Sequence, residues 1–375
     1  MGKTLSEIAQ QLRDSEKKVQ LIYAFNGVGK TRLSREFKEL IAKTDSEEDG
    51  DSKNKVLYYN AFTEDLFYWD NDLDKDVDRK LVIQDNSFTD WILREEGKEK
   101  DIAAHFEHYT NSKTTPRYSP DFSEVTFYIP GQGDPETNKI KISKGEESNF
   151  IWCIFYSMLE AVIEELNEPK ANRSTDRFDD LQYIFIDDPV SSLDENHLIE
   201  LAVDLSNLVK GSKSELKFII TTHSPLFFNV LFNEFKKGLK YILIKPEDNM
   251  YKLQMQKNDS PFAYHLYILR ELKNAIGMNS IKKYHFNFLR NILEKSATFL
   301  GYPQWGGMLK ELDDKYSARL INLASHSSLS TDESAILTDE DKDIIKKIVE
   351  HLEDKYHFQI NPIQSSTTTS TTSSR

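Results

Sequence analysis

The sequence predicts an α/β protein: a mostly parallel sheet whose strands alternate with helices, followed by a mainly α-helical C-terminal region. Three observations predict it. Short apolar runs rich in β-formers occur at 19–25, 183–186 and 218–220, and each stops at glycine or polar residues, as buried parallel strands do. Helical spacing lies between them, at Leu33, Phe37, Leu40 and Ile41 and again over 149–166. After Pro261 the pattern is helical almost throughout.

The remaining elements come in chain order. Residues 44–55 read as a solvated acidic loop, Val56 to Tyr59 and Leu81 to Ile83 as strands, and 88–109 as one helix. Residues 110–140 hold four prolines and two glycines and read as an irregular arm, in spite of β-like runs such as VTFYI. The polar stretch 167–180 reads as an exposed insertion. Residues 283–300 form an amphipathic helix with Phe286, Leu289, Leu293, Ala297 and Leu300 on one stripe. A turn-rich break succeeds it at Gly301-Tyr302-Pro303 and Gly306-Gly307. The low-complexity Ser/Thr-rich stretch 359–375 is expected to be disordered.

With 375 residues the chain is long enough for two domains. Its formal net charge of -14 makes it a poor general nucleic-acid binder, because phosphate backbones reward net positive charge. Any such site must be local. The lone cysteine, Cys153, excludes an internal disulfide framework and a paired-cysteine zinc hook, and its apolar neighbours Phe150 to Phe155 point to buried packing. The N-terminus lacks the apolar core of a signal peptide, and no stretch approaches the ~18 apolar residues of a membrane span. The expected compartment is the cytoplasm, with no membrane partner.

Ala24-Phe25-Asn26-Gly27-Val28-Gly29-Lys30-Thr31 follows the first strand and opens a helix, which is the arrangement of a phosphate-binding loop. Its glycines let backbone N–H groups turn toward phosphates, and the helix N-terminus adds partial positive charge. Lys30 can reach the β- and γ-phosphates, and the Thr31 hydroxyl can bind Mg²⁺. Asn26, Gly27, Val28, Gly29, Lys30, Thr31 and Arg32 are therefore the candidate phosphate-contacting residues. In Tyr183-Ile184-Phe185-Ile186-Asp187-Asp188 an apolar strand ends in two acids, where parallel sheets bind ligands. Asp187 is the candidate Mg²⁺ carboxylate and Asp188 the candidate that orients the attacking water.

Three further strings resemble those of ABC ATPases. Ser191-Ser192-Leu193-Asp194 resembles their D-loop. Thr221-Thr222-His223, after a strand, resembles their switch histidine, which contacts the γ-phosphate. Ile142-Ser143-Lys144-Gly145-Glu146, opening a helix, resembles their signature motif. The resemblance spans roughly 19–245 and implies an ABC-type nucleotide-binding domain over 1–250. It also implies Mg²⁺ with ATP or GTP, and a head-to-tail homodimer in which Ser143, Gly145 and the dipole of the following helix complete the partner's site; Glu146 and Asp194 are further candidate nucleotide-binding residues. Lys144 stands where that family has glycine, and Ala24 where the loop usually has its first. Gln84 is a candidate for the family's Q-loop.

The region 261–329 carries nine basic and five acidic residues in an otherwise acidic chain, a local footprint that suits nucleic acid or an ordinary solvated face. Arg290 and Glu294, four apart, share a face at the border of the apolar stripe, and His326 lies downstream in LINLASHSSL. An arginine, a carboxylate and a histidine suffice for metal-free RNA cleavage. The 2′-hydroxyl attacks the adjacent phosphate while Glu294 or His326 moves protons, and Arg290 stabilises the pentavalent transition state. A surface ion pair and a structural histidine would give the same residues.

The whole chain to about 358 resembles the PrrC-type bacterial anticodon nucleases, through MGKTLSEIAQQL, AFNGVGKTRLS, DDPVSSLD and the spacing of Arg290, Glu294 and His326. The resemblance implies a helical ribonuclease domain over 260–358 with these three as catalytic residues. It implies cleavage of lysine tRNA 5′ to the wobble base, leaving a 2′,3′-cyclic phosphate and a 5′-hydroxyl. It further implies guanine and thymine nucleotides (GTP, dTTP) as effectors, a type I restriction–modification complex as silencing partner, and activation on phage infection. The competing expectations are a defence ATPase that gates a separate effector through C-terminal docking helices, and a DNA-repair ATPase of the structural-maintenance type.

Overall fold

A computed structural model describes the chain except residues 1, 46–54, 61–65, 72–78, 111–112, 132–138, 190–194, 246–249, 257–263, 311, 313–336 and 359–375. The chain divides into two compact units, Met1–Phe262 and Ala263–Arg375.

Ten strands are present among the described residues of the first unit: β1 (Val19–Tyr23), β2 (Val56–Tyr59), β3 (Phe67–Asn71), β4 (Arg79–Ile83), β5 (Thr115–Tyr118), β6 (Glu124–Tyr128), β7 (Tyr183–Asp187), β8 (Lys217–Thr222), β9 (Leu239–Ile244) and β10 (Lys252–Met255). Six of them form one sheet in the order β10-β9-β1-β8-β7-β2. Every pairing in it is parallel except that of the edge strand β10 with β9. Parallel strands need crossovers that cover both faces, so the central strands should be apolar throughout. Burial agrees: all five residues of β1 and of β7 are buried.

The helices of this unit are α1 (Leu5–Arg13), α2 (Lys30–Asp45), α3 (Glu99–Thr110), α4 (Lys144–Asn167), α5 (Glu195–Gly211) and α6 (Pro225–Glu234). Thr4 and Glu7 close a capping box at the start of α1, which fixes where the helix begins. Its Leu5, Ile8, Ala9 and Leu12 recur at helical spacing and pack on α2. Burying each aliphatic side chain contributes about 1.5–3 kcal/mol, an upper estimate. Helix α4 is buried nearly all round from Glu147 to Leu166, with Cys153 fully enclosed, so it runs through a core rather than over it.

The structure departs from the expected elements in two places. The described part of 110–140 is not an irregular arm: β5 and β6 join β3 and β4 in a four-stranded antiparallel sheet, in the order β3-β4-β6-β5. Pro116 is tolerated because β5 lies at the sheet's edge, where a missing N–H breaks no ladder. The single helix expected over 88–109 is broken. A turn of α-helix (Ser87–Asp90) and one of π-helix (Trp91–Glu95) end at Gly97, whose φ of 63° stops the first segment before α3 starts. The stretch 167–180 contains no buried residue, and it is tied to its surroundings by the Thr175 N–H donating to Glu165 Oε1 at 3.0 Å and by Arg177 donating to Glu95 at 3.2 Å. Asp179 accepts from Arg173 at 2.6 Å and pairs with Lys170 at 2.9 Å, contacts that hold its carboxyl below the usual range.

The second unit contains α7 (Tyr264–Gly277), α8 (Tyr284–Phe299), a 3-10 turn at Trp305–Leu309 and α9 (Asp339–Tyr356). Leu269 and Leu272 of α7, Leu289 and Leu293 of α8, and Ile345 and Ile348 of α9 meet in a core of its own. The expected stripe on α8 is buried at Phe286, Leu289, Leu293 and Ala297. Leu300 leaves it, 45% exposed, because the helix ends at Phe299 and Leu300 is its C-cap. The expected disordered tail over 359–375 lies outside the described residues.

Candidate functional site

The register of the six-stranded sheet brings three strand ends together. Tyr23 of β1 pairs with Thr222 of β8, and Asp187 of β7 pairs with Thr221 of β8. The loops leaving β1, β7 and β8 must therefore meet at the C-terminal edge of the sheet, where open α/β sheets bind ligands.

After β1 the chain turns through Gly27 (φ 79°) and Gly29 (φ 120°), conformations that an L side chain rarely adopts. Helix α2 then begins at Lys30. Its first turn has no acidic residue, so no carboxylate of its own meets the partial positive charge at its N-terminus. Lys30 is 7% exposed. Its ammonium donates to the Ala24 carbonyl and to Asn26 Oδ1, each at 3.2 Å, and lies 3.4 Å from Asp188 Oδ2.

The Thr31 hydroxyl donates to Asp187 Oδ2 at 2.7 Å, and Thr221 donates to the other carboxylate oxygen. Burial pushes the Asp187 carboxyl above its usual range; the two threonine hydrogen bonds oppose this and the neighbouring Asp188 charge adds to it. A buried carboxylate beside a hydroxyl fits a hard dication. Among the described residues no group of three or more His, Cys, Asp or Glu could hold a metal. Mg²⁺ here would accordingly take Thr31, Asp187, phosphate oxygens and water, which is its ordinary preference.

Asp188 adopts φ 57°, a left-handed conformation that is uncommon for a residue with a side chain. Its backbone N–H donates to the Thr221 carbonyl at 2.9 Å. The bend swings its carboxylate toward β8: Oδ1 accepts from the His223 N–H at 3.1 Å, and Oδ2 lies 2.5 Å from His223 Nδ1. Burial raises the Asp188 carboxyl, but the His223 hydrogen bond and the Lys30 and His223 charges outweigh it and hold the group below the usual range. Lys30, Asp188 and His223 thus form one connected polar network.

At the start of α4, Ser143 and Glu146 cap the helix reciprocally: the Ser143 hydroxyl accepts from the Glu146 N–H at 3.2 Å, and Glu146 Oε2 accepts from the Ser143 N–H at 2.8 Å. Lys144 folds back onto Glu147 at 2.6 Å, and Glu147 also accepts from the Trp69 indole of β3 at 2.7 Å. Gly145 lies in the first turn of α4, between these contacts. Gln84 is exposed and directly follows β4. Asp194, with the rest of 190–194, lies outside the described residues.

In the second unit Arg290 Nε donates to Glu294 Oε1 at 2.7 Å, one turn apart on α8. Their side chains are 40% and 44% exposed. His326 lies outside the described residues.

Two features escaped the sequence. Tyr251 closes over the glycine loop before α2: its hydroxyl is 3.4 Å from where a side chain on Gly29 would begin and 3.5 Å from Arg32 Nη1. No motif marks a tyrosine 219 residues downstream of Arg32. A cleft beside Glu294, lined by Tyr302, Gln304 and Trp305, has no sequence signature either, although the turn residues that shape it are visible.

Among known proteins, a family profile described as an AAA domain matches residues 94–354. A curated Escherichia coli protein named Anticodon nuclease is 49% identical over 389 aligned residues, covering 96% of this chain and 98% of that one. Among solved structures, the SMC head domain from Thermotoga maritima is 10% identical, covering 65% of this chain and 92% of that one, with a TM-score of 0.33. The SmcHead bound to the C-winged helix domain of ScpA is 12% identical, covering 65% and 91%, with a TM-score of 0.32. Among the described residues, no helix is long and apolar enough to cross a membrane.

Proposed function

We propose a function from one premise: this chain belongs to the family of the Escherichia coli anticodon nuclease, and to the AAA-domain family through its residues 94–354. It is a nucleotide-regulated anticodon nuclease, in which the first unit binds and hydrolyses a nucleoside triphosphate and the second cleaves tRNA. The observation that carries this reading is the extent of the likeness, which covers 96% of this chain and so spans both units.

In the first unit, the N-terminus of α2 and the backbone of Gly27 to Lys30 receive the phosphates, and Lys30 leaves Asp188 to reach the β- and γ-phosphates. Thr31 and Asp187 hold Mg²⁺, which neutralises phosphate charge. Asp188 orients the attacking water, and His223 contacts the γ-phosphate. Ser143, Gly145 and Asp194 of one protomer complete the site of another, giving a head-to-tail homodimer. Hydrolysis thereby couples to assembly, and GTP and dTTP act as effectors.

In the second unit, Arg290 stabilises charge on the phosphate while Glu294 and His326 transfer protons to and from the 2′-hydroxyl and the leaving 5′-oxygen. That chemistry needs no metal. The substrate is lysine tRNA, cut 5′ to the wobble base, in the cytoplasm of a phage-infected cell, with a type I restriction–modification complex as silencing partner. Arg290 and Glu294 are exposed enough to meet a substrate, and an exposed i,i+4 pair contributes only about 0.3–0.5 kcal/mol to stability, so substituting either should leave the fold intact.

The test is incubation of the purified chain with total bacterial tRNA and GTP, beside Arg290→Ala and His326→Ala. Anticodon-loop fragments from the wild type alone, with unchanged melting temperature and unimpaired nucleotide hydrolysis in both variants, support the reading. Intact tRNA in every lane, with nucleotide hydrolysis intact, favours an ATPase that gates a separate effector.

A further inference from the structure

The turn between α8 and the 3-10 segment has no part in the chemistry above, yet it builds a defined cleft. Helix α8 ends in a left-handed Gly301 (φ 76°), with Tyr302 N–H donating to the Ala297 carbonyl at 2.9 Å and Gly301 N–H to the Thr298 carbonyl at 3.3 Å. This paired closure turns the chain sharply back along the helix. Tyr302 is then held twice. Its hydroxyl accepts from the Tyr356 hydroxyl at 3.2 Å, and its ring sits over Gly307, where a Cβ would come within 3.0 Å of Cδ1. Trp305 packs on the core of the second unit and stays partly exposed.

Between these rings and α8 lies a cleft of about 480 Å³, lined by Glu294, Thr298, Tyr302, Gln304 and Trp305 among others. That volume falls within the range of small-ligand sites, about 300–1,000 Å³. Gln304 stands exposed beside it, and its amide forms no cap on the turn it precedes. Glu294, which also lines the cleft, accepts from Arg290 at 2.7 Å.

Two aromatic faces, an uncommitted amide and an adjacent guanidinium are complementary to a flat apolar ligand with a hydrogen-bonding edge and an attached anion. A free phosphate would need neither ring, and an aliphatic group would need no amide. An RNA nucleotide swung out of its stack presents all three features, and proteins read unpaired RNA bases in this way.

We propose that the cleft receives one nucleobase of the RNA, laid against Trp305 or Tyr302 with Gln304 on its polar edge, and thereby brings the attached ribose-phosphate beside Arg290 and Glu294. This rests on the nuclease reading of the second unit. Trp305, Tyr302 and Gln304 touch the substrate base and not the scissile bond, so they govern binding and register.

The experiment measures kcat and KM for cleavage of total bacterial tRNA, together with nucleotide hydrolysis, for the full chain and for Trp305→Ala, Trp305→Phe and Gln304→Ala. Loss of one stacked base corresponds to a rise in KM on the order of 5- to 100-fold. Trp305→Ala should show that rise with kcat little changed and nucleotide hydrolysis untouched, and Trp305→Phe should recover most of the loss. Gln304→Ala, at an exposed position, decides the matter if Trp305→Ala unfolds; it should raise KM several-fold. Wild-type KM in every variant that folds discards the cleft while leaving the nuclease reading intact. A wild-type chain that neither binds nor cuts RNA removes both.

Discussion

Replacing Asp188 by asparagine alters one charge and little else. Asparagine tolerates the left-handed backbone at φ 57° better than other side chains, so the bend after β7 should persist. The loss is the carboxylate 3.4 Å from Lys30 Nζ. Breaking a buried pair by removing one partner costs about 3–5 kcal/mol. Lys30 is 7% exposed but Asp188 is 21% exposed, so water recovers part of this, and about 1–3 kcal/mol is expected. Asp188 is held below the usual carboxylate range, so its contribution is complete above the unfolded value near pH ~3.9 and disappears as pH falls through the folded one. Phosphates must draw Lys30 from the same carboxylate. Removing it should tighten nucleotide binding by about 1–2 kcal/mol, or roughly 5- to 30-fold. Hydrolysis should fall by about 10²–10⁴, the usual worth of a positioned acid–base group. Fluorescent ATP titration and single-turnover hydrolysis measure the two effects separately. Hydrolysis within threefold of wild type at full occupancy would refute the water-orienting role, and unchanged affinity would refute the competition for Lys30.

Asp187→Asn should raise the melting temperature of the ligand-free protein by about 2–4 °C, because burial lifts the Asp187 carboxyl and its ionised form costs stability that is progressively lost as pH rises through the folded value. The same substitution should abolish Mg²⁺-dependent hydrolysis; a lower melting temperature would contradict the assignment. In the wild type, Mg²⁺-nucleotide affinity should weaken as pH falls through that raised value, which calorimetric titration across the acidic range can follow. Leu289→Ala, at the centre of the second unit's core, should cost about 2–5 kcal/mol in urea unfolding. It should spare nucleotide hydrolysis by the first unit, and a cost below ~1 kcal/mol would mean that α8 does not bury this face.

Much of the candidate nucleotide site was legible along the chain because its signals are local. Glycines at 27 and 29, the lysine that opens α2 and the acids that end β7 are each read within a few residues of an apolar run. Periodicity likewise located α8 and the face it buries. Where local signals misled, an edge strand or a single glycine was the cause. Pro116 disguised β5 because a window of sequence cannot tell an edge strand from a central one, and Gly97 split a helix whose apolar spacing runs on past it.

Three-dimensional pairing decided the rest. Thr31 meets Asp187 across 156 residues, and the register of β1, β8 and β7 makes that contact. The left-handed turn at Asp188 aims its carboxylate at both Lys30 and His223, an orientation that residue type does not specify. The cleft beside Glu294 depends on Tyr302 closing over a glycine and against Tyr356, 54 residues away. Motif and period are properties of neighbours along the chain and survive in the linear string. Charge networks, burial and cleft shape are properties of neighbours in space, and they exist only once the strands have chosen their partners.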